Sequence, residues 1–111
     1  MNDTAYTLAM YRVKKGREDD FVRIWNELAD TFINLPNPPI AGTLIRSVTE
    51  RSLFYSFGPW RSADDVAAMR ASPKAGEMFG KLREVCDELT PGDYEVVTHV
   101  DVEEQKGTAV Q

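Results

Sequence analysis

The stretch Ala5 to Val13, AYTLAMYRV, is apolar on both sides of a strand. Side chains alternate across a strand, so Tyr6, Leu8 and Met10 face one way and Ala9, Tyr11 and Val13 the other. A strand of this kind is stable only where both faces of its sheet are covered. Leu53 to Trp60 repeats the pattern, with Leu53, Tyr55 and Phe57 set against Phe54 and Trp60. The rest of the chain must supply the cover.

Helical cover is predicted in two places. After the turn Lys14-Lys15-Gly16, a helix begins at Arg17, where the acidic run Glu18-Asp19-Asp20 suits a helix N-terminus. Phe21, Ile24, Trp25, Leu28, Phe32 and Leu35 then recur at three- and four-residue spacing, and Pro36-Asn37-Pro38-Pro39 ends the helix. Ser62 opens a second helix as a capping box with Asp65, running to Met69 or Arg70. Ser72-Pro73 restarts it, and Ala75, Met78, Phe79, Leu82, Val85, Cys86 and Leu89 keep a 3.6-residue period up to Pro91-Gly92.

Thr43 to Val48 and Leu53 to Trp60 flank Thr49-Glu50-Arg51-Ser52, which predicts an antiparallel hairpin. The alternation from Tyr94 to Val102 predicts the last strand, and residues 103–111 are expected to be an acidic mobile tail. The order is βαββαβ, an α+β, ferredoxin-like fold with a four-stranded antiparallel sheet in one domain over residues 1–102. Its helices cover one face only. The apolar set on the other face is predicted to bury itself against a second copy, sheet to sheet, in a homodimer.

Composition narrows the function. Hydrophobic residues are 42% and charged residues 28%, a globular balance, and the net charge of -5 opposes binding to nucleic acid or to anionic membranes. No targeting or membrane-spanning segment is expected, and the lone cysteine fits a reducing cytoplasm. With one cysteine and one histidine the chain cannot build a Cys/His zinc cage, so no metal site is expected. No phosphate-binding glycine loop follows a strand, and no Gly-x-Ser-x-Gly elbow is present.

The turn Lys15-Gly16 before an acidic helix start, and Phe57-Gly58-Pro59-Trp60-Arg61-Ser62 followed by Ala71-Ser72-Pro73, carry a family likeness. Over residues 5–102 the chain resembles the antibiotic biosynthesis monooxygenase domains. The resemblance implies a dimeric α+β barrel. It also implies cofactor-independent oxygenation of a small electron-rich aromatic, quinol- or anthrone-like, whose anion itself reduces dioxygen. Met69 and Lys74 stand where many members carry histidine. The similar haem-degrading branch relies on an asparagine in strand one, a tryptophan and a haem-ligating histidine; here those places hold Met10 or Tyr11, Met69 and Phe79. No haem and no other cofactor are expected. The alternative is a non-catalytic dimeric module that binds a small ligand and has lost the catalytic set.

Two residues are candidates for catalysis. Trp60, carried over from the family, could stack on an aromatic substrate while its indole N–H donates to a substrate oxygen. His99 is the one side chain whose ordinary pKa suits removal of a phenolic proton near neutrality. Tyr11 and Ser56 offer hydroxyl contacts, Met69, Met78 and Phe79 apolar walls, and Arg83, like Arg46, a positive charge for an anionic intermediate. Each of these groups also has an ordinary role in packing or at the surface. Cys86, on the apolar stripe, is expected to pack as a small inert hydrophobe.

Overall fold

The computed structural model describes residues 5–103. Its elements are β1 (Ala5–Val13), α1 (Glu18–Ile33), β2 (Thr43–Arg46), β3 (Leu53–Trp60), α2 (Ala63–Ala71), α3 (Pro73–Glu84) and β4 (Cys86–Glu95). The two apolar strands take the middle of the sheet, in the order β2-β3-β1-β4, and every pairing is antiparallel. This is the expected ferredoxin-like arrangement, with the second helical segment broken at Ser72. There the Ser72 hydroxyl accepts from the Ala75 amide at 3.3 Å and Pro73 starts the new helix. The Ser62 hydroxyl caps α2 in the same way, accepting from the Asp65 amide at 3.1 Å.

The helices cover one face. Ala9, Tyr11 and Val13 of β1 pack there with Phe21, Ile24 and Leu28 of α1 and with Met78 and Leu82 of α3. The Phe21 ring, fully buried, lies 4.9 Å from Tyr11 and 4.8 Å from Phe54 in tilted contacts. A second cluster joins Ala5, Trp60, Val66, Met69 and Ala75, and Phe32 and Phe79 pack against both clusters. On the other face Tyr6, Leu8, Met10, Leu53 and Phe57 are only half-buried, and Ile45 and Tyr94 keep 48% and 56% of their surface exposed.

The C-terminal half departs from expectation. The helix predicted to reach Leu89 ends at Glu84, and the strand predicted over Tyr94 to Val102 runs instead from Cys86 to Glu95. The cause is a bulge. Arg12 pairs with Glu88 but Val13 pairs with Cys86, which leaves Asp87 as the extra residue. Cys86 and Leu89 therefore both face the helices although three residues apart, a spacing that a helix also produces. Pro91, read as a stop, sits inside β4 opposite Ala9, and it is tolerated because β4 is an edge strand.

β2 is shorter than predicted, ending at Arg46. Ser47 turns the chain, its hydroxyl accepting from the amides of Thr49 at 3.2 Å and Glu50 at 2.9 Å. Residues 96–101 alternate in sequence but form no strand. The predicted tail lies, beyond Glu103, outside the described residues.

Candidate functional site

Between the two core clusters lies a cavity of about 350 Å³. Trp25, Leu28 and Phe32 of α1 form its roof, and Thr7, Ala9 and Tyr11 of β1 and Ser56 of β3 its floor. The helical period that buries α1 thus also lines a void. Trp60, Met69 and Phe79 close one end, and the loop Pro39-Ile40-Ala41-Gly42 borders the other. That loop is seated on β3: the Ile40 amide donates to the Pro59 carbonyl at 3.0 Å, and a Cβ at Gly58 would stand 2.1 Å from the Ala41 carbonyl oxygen. Only glycine allows this approach.

The walls are apolar apart from a few convergent groups. The Tyr11 and Ser56 hydroxyls share a hydrogen bond of 2.8 Å. Burial pushes the Tyr11 phenol above its ordinary pKa, although the bond to Ser56 opposes the shift, so Tyr11 stays protonated. The Trp25 indole N–H is near enough to favour the ionised phenol, yet it is buried without a hydrogen-bond partner. Among the described residues Arg70 is the one charged residue on the walls, and its Nε donates to the Asp93 carboxylate at 3.1 Å across the gap between α2 and β4. Among the described residues no cluster of three or more His, Cys, Asp or Glu is placed to hold a metal ion.

The sequence-predicted residues divide. Tyr11, Ser56, Trp60, Met69 and Phe79 come together around the cavity. Trp60 is 1% exposed and its indole N–H already donates to Thr7 Oγ1 at 3.0 Å, so its ring forms a wall while its donor is occupied. Met78 packs in the α1–α3 core instead, because it projects on the side of α3 toward Tyr11, Phe21 and Leu82. Arg83 borders a smaller neighbouring recess with Arg70, Gly76 and Pro91. His99 is exposed beyond the end of β4, since that strand stops at Glu95, and it is not among the residues that line the cavity. Arg46 lies over the Phe54 ring at 4.7 Å, away from the cavity.

Sequence reasoning missed Trp25, Thr7 and Arg70. Trp25 was legible only as one more member of an apolar stripe, since wall and core residues share the same period. An indole within such a stripe is the one signal that could have raised it, because the ring brings a donor into apolar surroundings.

No protein-family model and no curated protein matches the chain. Solved structures do. SnoaB from Streptomyces nogalater, a cofactor-independent oxygenase, superposes as its N63A variant with a TM-score of 0.80 over 88% of this chain and 97% of that one, at 17% identity. The chain has the fold of the antibiotic biosynthesis monooxygenases. A protein of that name matches with a TM-score of 0.72 at 14% identity, over 85% of this chain and 99% of the other. One from Bordetella bronchiseptica, named so provisionally, gives a TM-score of 0.74 at 19% identity, covering 88% of this chain and 99% of its own. Identities this low carry the likeness of fold and no further.

Proposed function

We propose that the chain belongs to the antibiotic biosynthesis monooxygenases and is a cofactor-independent monooxygenase of a small electron-rich aromatic, quinol- or anthrone-like. The observation that carries this reading is the apolar cavity of about 350 Å³, the size of a small polycyclic ring system, with hydroxyl donors on its floor. Its fold is that of SnoaB, an oxygenase that works without a cofactor.

The reaction needs little of the protein. A ring methylene flanked by aromatic rings loses a proton, and the resulting anion transfers an electron to dioxygen. The two radicals join through a new C–O bond and, with a proton from solvent, give a hydroperoxide. Loss of water then leaves a ketone, so that one substrate and one dioxygen yield one ketone and one water. The chain's part is to hold the flat ring between Trp60, Phe32 and Phe79, to exclude water, and to stabilise the negative oxygen of the anion. The protonated Tyr11–Ser56 pair supplies donors, and Arg70 places a positive charge at the wall. No carboxylate or imidazole stands among the described lining residues, so the substrate gives its proton to solvent before the ring is enclosed.

The working unit is a homodimer in a reducing cytoplasm. The half-exposed apolar face of the sheet supports the first, and the unpaired, buried thiol of Cys86 accords with the second. An oxygen electrode with a panel of anthrones and quinols tests the activity. Uptake of one dioxygen per ketone formed is expected; tight binding with no uptake establishes the second reading, a ligand-binding module, which the absence of a wall base favours.

A further inference from the structure

We propose that Trp25, acting with the Tyr11–Ser56 pair, is the donor site that holds the substrate's oxygen, the task that the Trp60 indole is not free to perform. This rests on the reading of the cavity as the pocket for an oxygenated aromatic. The two tryptophans of the chain differ at the indole nitrogen: the Trp60 N–H donates to Thr7 Oγ1 at 3.0 Å, whereas Trp25, half-buried as a residue, has its N–H buried and unpartnered at the cavity wall. An indole N–H can only donate. Left unmet in a buried place it destabilises the empty protein, and a group retained under that penalty points to an acceptor that arrives with a ligand.

Trp25, Tyr11 and Ser56 together bring three donor hydrogens, one each, and the 2.8 Å bond between the hydroxyls engages one of them. Even if the indole turned onto the phenol oxygen, one hydroxyl hydrogen would remain. The cluster therefore lacks an acceptor whichever way its hydrogens are arranged. A carbonyl or phenolate oxygen has two or more lone pairs and no hydrogen, and fits it. A purely hydrocarbon ring does not. The substrate thus carries its oxygen toward α1 and β1, with its ring against Trp60 and Phe79.

The test uses the full chain under nitrogen, with anthrone and with 9,10-dihydroanthracene, which has the same ring frame without the oxygen. Two tryptophans give two indole N–H signals in a nitrogen–proton spectrum, assigned by the Trp60→Phe variant. Anthrone is expected to move the Trp25 signal downfield and leave that of Trp60, while dihydroanthracene moves neither downfield. Trp25→Phe is expected to bind anthrone about tenfold more weakly, the worth of one hydrogen bond at about 1.4 kcal/mol, and dihydroanthracene unchanged. If anthrone binds the unaltered protein without moving the Trp25 signal, or Trp25→Phe binds anthrone as tightly as before, the inference is overturned and the pocket reading survives. If neither compound binds the unaltered protein, both are overturned. The spectrum of the unaltered chain decides the matter even if Trp25→Phe folds poorly.

Discussion

Gly58 has no room for a methyl group, because the Ala41 carbonyl oxygen would stand 2.1 Å from it. Gly58→Ala must therefore push the loop at Pro39–Gly42 off β3, with an expected stability loss of about 1–3 kcal/mol in urea unfolding and weaker ligand binding at the loosened mouth. Trp60→Phe removes the bond to Thr7 and leaves a gap in the second core cluster. It is expected to lower the melting point by the equivalent of about 1–3 kcal/mol, a larger effect than Thr7→Val, which removes the acceptor alone. Cys86 gives a pH dependence. Burial, with Asp87 adding to it, pushes the thiol from its ordinary 9.0 to about 11, so the folded chain keeps a proton that the unfolded chain releases. Stability from this group is complete below the lower value and falls as pH rises toward the upper one. Tyr11, raised by burial from 10.0, adds a loss of the same sign above that value. Urea midpoints measured across this window are expected to fall less steeply in Cys86→Ala.

At the level of elements, β4 shows what a linear pattern conveys and what it hides. β1, α1, β3 and the serine caps were legible because each depends on one local rule: alternation, helical spacing or a cap hydroxyl. β4 was not, since Asp87 interrupts the alternation and gives Cys86 and Leu89 the separation of helical neighbours. The site was half legible for a similar reason. Tyr11, Ser56 and Trp60 follow from strand positions, but whether an indole is already paired depends on Thr7, which lies 53 residues from Trp60 in the chain. Deletion of Asp87 removes the bulge and makes Cys86 and Glu88 consecutive partners of Val13 and Arg12, so Cys86 and Leu89 keep their face in a regular ladder. Cooperative unfolding, read by near-ultraviolet circular dichroism, is the expected result both for this deletion and for Asp87→Ala; a non-cooperative deletion variant would show that the bulge itself holds the register.

For the whole molecule, the sheet surface away from the helices is the proposed dimer joint. Tyr55 stands in the middle of that surface, in β3 opposite Met10, and is 37% exposed. A sheet-to-sheet dimer of this kind buries about 2,000 Å² or more in total. Sedimentation at micromolar concentration is expected to give a dimer for the natural chain and a monomer for Tyr55→Glu, whose carboxylate would lose its water in the joint. Identical sedimentation of the two would show that this surface is not the joint.

The split of the interior into two clusters, bridged by Phe32 and Phe79, has a practical use. A guest that occupies the gap becomes the missing middle of the core, so its binding energy adds directly to the resistance of the fold to heat. At a hundred times its dissociation constant the gain is about 2.7 kcal/mol. Thermal melting in the presence of a compound library therefore tests the proposed pocket without any assay for oxygen, and at equal concentration the compounds that raise the transition rank by affinity for the folded chain.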